Sequence, residues 1–148
     1  MTFNSLNEMI EYIEKKLVDI NKDVGEDIVQ IAKIETDREQ KKYSPVSYKR
    51  TGNLIECIKT TKVDKDEVEV TWTDTGTWTS NDGKSVYAPK ALEEGNTYGS
   101  SKRKNSVKRD GRYYRPQTYF VENTERKVES KIGTLYKKRF KDNGIPVK

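Results

Sequence analysis

The sequence predicts an α+β fold: a small antiparallel sheet packed against long N-terminal and C-terminal helices, with one short helix and a basic, flexible loop between them. Three observations carry that prediction. Apolar residues recur at steps of three and four near both ends of the chain, the signature of two amphipathic helices. Residues 67–73 alternate strictly between polar and apolar, as a strand does when one face of its sheet is wet. Glycine, proline, asparagine and aspartate cluster between these segments, where turns and loops belong. The length of 148 residues fits a single domain spanning 1–148. A composition of 36% charged and 32% hydrophobic residues leaves only a thin core. Such a chain builds elongated elements with large wet surfaces, or completes its core by assembling with partners. The strength of the periodicity argues against disorder.

Leu6, Met9, Ile10, Ile13, Leu17, Ile20, Val24, Ile28 and Ile31 form the first stripe, which predicts a helix from about Ser5 to the mid-thirties. Ser5 with Glu8 three residues on fits a capping box and fixes the helix start. Gly25 lies inside the pattern, costs about 1 kcal/mol relative to alanine, and predicts a bend or break. The near-heptad spacing fits a coiled-coil seam as well as one face packed on the protein's own sheet. The second is the simpler expectation.

After Thr36 the chain turns almost wholly polar, and Pro45 and Gly52 follow, so residues 37–52 read as a loop. Asn53, with Glu56 three residues later, caps a short helix carrying Leu54, Ile55, Ile58 and, at its edge, Cys57. In the strand over 67–73, Val68, Val70 and Trp72 point to one face and are expected beneath the long helices. Two turn signals, Asp74-Thr75-Gly76 and Ser80-Asn81-Asp82-Gly83, bracket Thr77-Trp78-Thr79 before Ser85-Val86-Tyr87 resumes the extended pattern, which predicts a hairpin. Pro89 stops that strand, and Ala91–Glu94 is at most a helical turn ended by Gly95.

The most polarised stretch comes next, a basic loop over about 96–115. Between Gly99 and Arg115 stand seven cations, Lys102, Arg103, Lys104, Lys108, Arg109, Arg112 and Arg115, against the single acid Asp110, a surplus larger than the chain's net charge of +5. The rest of the chain reads as a scaffold that presents or anchors this loop. Phe120, Val121, Val128, Ile132, Leu135, Tyr136 and Phe140 then mark the second long helix, which ends near Asn143-Gly144 with Pro146 beyond.

What is missing narrows the chemistry. The chain has no histidine, which removes the usual base near neutral pH, the usual imidazole metal ligand and any Ser-His triad. Its one cysteine, Cys57, can form neither an internal disulfide nor a cysteine zinc site, and is expected to be a buried, inert thiol. No catalytic, cofactor or metal residues are expected. No apolar run reaches the ~20 residues of a membrane span, and Asn4, Glu8 and Glu11 do not fit a signal peptide. A reducing cytosol and no membrane partner are the expectation.

Several short motifs fall in a consistent order. Tyr48-Lys49-Arg50-Thr51-Gly52-Asn53-Leu54 resembles the Arg-Thr-Gly-x-Leu signature of the minor capsid and tail-completion family of long-tailed phages. Tyr87-Ala88 with Glu94-Gly95 resembles that family's Tyr-Ala…Glu-x-Gly element, and Arg115-Pro116 resembles the Arg-Pro-Phe that opens its last helix. Pro89-Lys90-Ala91-Leu92 departs from the family's more apolar or aromatic pattern, and Gln117 stands where it has phenylalanine. The resemblance implies a non-enzymatic virion protein of the neck, made in the host cytoplasm, that joins the DNA-filled head to the tail. It also implies a ring-like homo-oligomer contacting connector or adaptor, tail-terminator and tail-tube proteins.

The motif residues also have a structural reading of their own. Gly52 permits backbone angles other residues resist, Thr51 or Asn53 can satisfy free helix amides, and Leu54 is the first core contact. Arg50 is either a solvated charge beside Lys49 or the partner of an acid such as Glu94. Pro116 suits the first turn of the last helix, and Arg115 before it can hold a carboxylate from a neighbouring subunit. The basic loop, with Tyr98, Tyr113 and Tyr114 nearby, fits an acidic protein surface or DNA phosphates passing through the channel. A basic DNA-binding adaptor acting through residues 102–115 is therefore the alternative function. A metal-dependent nuclease would need converging carboxylates, and Asp64, Asp66, Glu67, Glu69 and Asp74 are the candidates. Glu67 and Glu69 sit where a wet strand face puts them, and Thr71 occupies the position expected of a lysine, so catalysis is not expected.

Overall fold

The structure, a computed structural model, describes residues 2–42, 53–73, 96–98, 107–109, 112–115 and 118–147, with residues 53, 96–98, 107–109 and 112–115 described by their backbone alone. Helix α1 runs over Leu6–Lys41, the four-residue helix α2 over Asn53–Glu56, and helix α3 over Phe120–Asp142. Strands β1 (Ile58–Val63) and β2 (Val68–Trp72) form an antiparallel hairpin. Strands β3 (Asn96–Tyr98), β4 (Val107–Arg109) and β5 (Arg112–Arg115) form a second antiparallel sheet in the order β3-β5-β4. The architecture is α+β, as the sequence predicts.

Ser5 caps α1 as expected: its hydroxyl accepts from the Glu8 amide at 3.2 Å, while the Glu8 carboxylate reaches back to the Asn4 amide at 2.8 Å. Helix α1 runs unbroken through Gly25, so the break that the sequence allowed does not occur. Gly25 is buried where α1 crosses the β1–β2 hairpin, and a Cβ there would lie 2.9 Å from Val68 Cγ2 and 3.0 Å from Thr60 Oγ1. The glycine permits close approach of helix and sheet.

A second correction concerns the end of α1, which continues through the polar residues 36–41 that read as loop. Those residues are helical because they have tertiary partners. Thr36 is fully buried and accepts from the Trp72 indole at 3.3 Å, and Glu39, 3% exposed, meets the start of α3. Ion pairs Arg38–Glu35, Lys41–Asp37 and Lys42–Glu39 at helical spacing support the same turns.

The third correction is at Ile58. Rather than closing the short helix, it opens β1 and pairs with Trp72, and a bulge between Thr60 and Lys62 shifts the register. The Asp64 amide donates to the Glu67 carbonyl at 2.8 Å and closes the hairpin. One face of the hairpin lies on α1. Val68, Val70 and Trp72 are half-buried there, less than the alternation predicts.

Buried apolar residues fall in two places. Leu54, Cys57 and Phe120 form a cluster on which Trp72 and Val121 pack, with the Trp72 and Phe120 ring centroids 5.5 Å apart. Ile20, Val24 and Ala32 are fully buried along α1. Cys57 is buried, as expected, and its Sγ donates to the Leu54 carbonyl at 3.0 Å.

Helix α3 returns antiparallel along α1, with Tyr119–Asn123 at Glu39 and Arg139 at Asp27. Helix α3 begins at Phe120 with Tyr119 as its N-cap, and Pro116, expected in its first turn, lies outside the described residues. The helix ends on Gly144 with φ 74°, and the Ile145 amide donates back to the Phe140 carbonyl at 2.9 Å. Within the segment expected to be an irregular loop, β3, β4 and β5 are strands. Val107, Tyr113 and Tyr114 favour extended backbone, and Asp110-Gly111 is a hairpin dipeptide.

Candidate functional site

The seam between α1 and α3 gathers most of the buried polar chemistry of the described residues. At one end the Glu39 carboxylate accepts from the Tyr119 amide (3.4 Å) and the Asn123 side chain (3.0 Å) and pairs with Lys42. Tyr119, the N-cap of α3, makes no side-chain cap, so a carboxylate from α1 sits at the positive end of the α3 dipole. In the middle, Arg139 grips Asp27 with two bonds of 2.8 and 2.7 Å, and Asp23 and Asp142 lie 3.8 Å away. The guanidinium holds the Asp27 carboxyl below the ordinary carboxylate range, against the upward push of partial burial. Nearby, Asn21 is 4% exposed. Its amide donates to the Asp64 and Lys65 carbonyls (2.6 and 3.0 Å) and accepts from the Tyr136 hydroxyl (2.8 Å), tying the hairpin turn to both helices. Burial pushes the Tyr136 phenol above its ordinary value.

Above Glu39 the seam opens into a cleft of about 270 Å³ lined by Glu35, Arg38, Lys42, Arg126 and Lys127, among others. Arg38 and Lys42 lean on the buried carboxylates Glu35 and Glu39, and Arg126 pairs with Glu122. Sequence reasoning missed this cleft because its α1 half lay in residues read as loop. The signal was present in the i,i+3 spacing of Glu35 with Arg38 and of Glu39 with Lys42.

The other surface of note is apolar. The stripe that buries Ile20 and Val24 continues toward the start of α1, where Leu6 is 67% exposed, Ile10 44%, Ile13 42% and Met9 37%. At 3.6 residues per turn these four share the face of Ile20 and Val24. Phe3 packs on Tyr12, with ring centroids 5.4 Å apart, and Lys16 lies over the same Tyr12 ring.

The residues singled out by sequence fare unevenly. Leu54 is a core residue, 8% exposed, as its motif position implies. Arg50, Thr51, Gly52, Tyr87, Glu94, Gly95, Pro116, Lys102, Arg103 and Lys104 lie outside the described residues, as does the hairpin expected over 74–87. Lys108, Arg109, Arg112 and Arg115 stand on β4 and β5, where the register sets Arg109 opposite Arg112, Lys108 opposite Tyr113, and Arg115 opposite Asn96. Two strands thus bring four of the seven basic positions into one small sheet. Of the carboxylates considered for metal chemistry, Glu67 pairs with Lys62, and Asp64 accepts from the Lys65 amide at 2.6 Å. Among the described residues no group of three or more acids, cysteines or histidines could hold a metal ion, and no helix is long and apolar enough to cross a membrane. No protein-family model, curated protein or solved structure matches this chain.

Proposed function

We propose that this protein is a structural neck component of a long-tailed phage, joining the DNA-filled head to the tail during virion assembly. The observation that carries the reading is the exposed stripe of Leu6, Met9, Ile10 and Ile13, a direct continuation of the face that buries Ile20 and Val24. A helix that carries its core stripe past its own body completes that packing on another molecule, and the thin core favours the same outcome. The ordered motifs from Arg50 to Pro116 supply the class of assembly. In this reading the protein works in the virion neck after synthesis in the host cytoplasm, as a ring-like homo-oligomer. It contacts connector or adaptor, tail-terminator and tail-tube proteins, and the basic segment from Lys102 to Arg115 meets an acidic partner surface or DNA in the channel. It carries no catalytic, cofactor or metal chemistry.

The stripe can be tested apart from the fold. Ile10→Glu with Ile13→Glu places charge on the exposed turns only, where surface changes shift stability by about 0.5 kcal/mol or less. The expected outcome is an unchanged thermal melt and loss of joining when purified heads and tails are mixed with the variant. Normal joining by that variant would remove the stripe from the account. The DNA-adaptor alternative is separated by replacing Lys102, Arg103, Lys104, Lys108 and Arg109 with serine. Joining is expected to fail, whereas unimpaired joining together with loss of tight duplex binding would favour the adaptor.

A further inference from the structure

We propose that one face of α3 is a docking surface for the phosphate backbone of double-stranded DNA. Lys127, Lys131, Thr134, Lys138 and Lys141 follow the spacing i, i+4, i+7, i+11 and i+14, so they share one side of the helix over about 21 Å. Lys131, Thr134, Lys138 and Lys141 are exposed, and Lys127 is half-buried at the mouth of the cleft beside Arg126. Among the described residues none of the four lysines is in an ion pair, although the charge of Lys138 acts on Asp27, while Arg126 and Arg139 of the same helix are paired with Glu122 and Asp27. Of the helix's acids, Glu122, Glu125 and Glu129 fall on the opposite side, while Asp142 stands at the C-terminal end of the lysine face, 3.8 Å from Arg139. Lys138 has the acid Asp142 four residues on, as a solvated helix would, but Lys127 and Lys131 are an i,i+4 pair of like charge, which destabilises an isolated helix. Segregation of this kind calls for an external anion.

Three features select the anion. The face carries no aromatic or aliphatic residue, and the small Ser130 and Thr134 stand beside its lysines. Protein interfaces are built the other way, with apolar or aromatic centres from which lysine and serine are depleted. A phosphate backbone is contacted by lysines and hydroxyls without any apolar centre. Single strands bind through bases stacked on aromatic side chains, and this face offers none, which favours the duplex. A membrane surface would need an apolar side free to enter the interface, but Phe120 and Val121 of α3 are packed with Leu54, Cys57 and Trp72, and Tyr136 is bonded to Asn21 of α1. The inference rests on this helix alone and holds whether or not the joining role does.

Fluorescence anisotropy of the full chain with a labelled duplex of random sequence, measured across a salt series, tests the proposal. Each neutralised phosphate contributes about 0.9 to the log-log salt slope, so serine at Lys127, Lys131, Lys138 and Lys141 together should lower the slope by about 3 to 4 with an unchanged melt. Serine at Lys127 and Lys131 only, or at Lys138 and Lys141 only, should lower it by about 2, which keeps the test usable if the fourfold variant folds poorly. Replacing the same lysines with arginine should preserve the slope. The proposal fails if the wild-type chain does not bind the duplex or if the serine variants keep its slope. It fails equally if the matching single strand binds more tightly, or if poly-glutamate displaces the duplex at equal charge concentration, the mark of an acidic protein partner.

Discussion

Gly25 shows how one missing methyl sets the distance between helix and sheet. Alanine there would gain about 1 kcal/mol in helix propensity, yet its Cβ would press within 2.9 Å of Val68 Cγ2 and 3.0 Å of Thr60 Oγ1. Overpacking of this kind costs about 1–3 kcal/mol, and both neighbours are β-branched and stiff at χ1, so the clash wins. Gly25→Ala should therefore lower the urea midpoint, and Val68→Ala in the same chain should recover part of the loss. A stabilised Gly25→Ala protein would show that the helix does not approach the hairpin so closely. At the same scale, the Asp27–Arg139 pair predicts an acid-sensitive contribution. The pair depresses the folded-state pKa of Asp27, so its stabilisation is fully present above the unfolded value of about 3.9 and is lost as pH falls through the folded value. Asp27→Asn should cost about 1–2 kcal/mol at neutral pH, with the difference from wild type shrinking below about pH 4. A difference independent of pH would contradict the assigned pair.

Between elements, the decisive contacts are polar. Glu39 serves as the missing cap of α3, so Glu39→Ala should cost about 1–2 kcal/mol and speed amide hydrogen exchange in the first turn of α3 more than in β1 or β2. Uniform acceleration throughout the chain would mean that Glu39 supports the fold globally instead. Such contacts explain what the sequence could not display. The apolar stripes of both long helices and the alternation over 67–73 were legible because burial repeats along them. The last turns of α1 were not, because Thr36 and Glu39 owe their burial to Trp72, Tyr119 and Asn123, far away in the chain. Strand β1 was hidden because Leu54, Ile55 and Ile58 share a helical spacing, while Ile58-Lys59-Thr60-Thr61-Lys62-Val63 signals a strand only through its β-branched residues. In the basic segment, charge density obscured strands β4 and β5, whose register sets Arg109 opposite Arg112. The cleft was invisible for the same reason as the end of α1, and the lysine face of α3 was present in the spacing but overshadowed by the denser charge of residues 102–115.

At the scale of the whole molecule, an interior this slight meets an apolar stripe that outruns it. Among the described residues the largest fully buried side chains are Phe120, Ile20, Val24 and Thr36, while Leu6, Ile10 and Ile13 are exposed. A monomer arranged this way is complete enough to fold and still carries a surface for assembly. The isolated chain should accordingly sediment as a monomer or a weakly associating species at micromolar concentration and gain stability on meeting its partners. If joining of head to tail depends on this protein, as proposed, electron microscopy of phage particles made without it tests that role most directly. DNA-filled heads and separate, finished tails are expected, both restored to whole virions when the purified protein is added; intact virions assembled in its absence would contradict the proposed role.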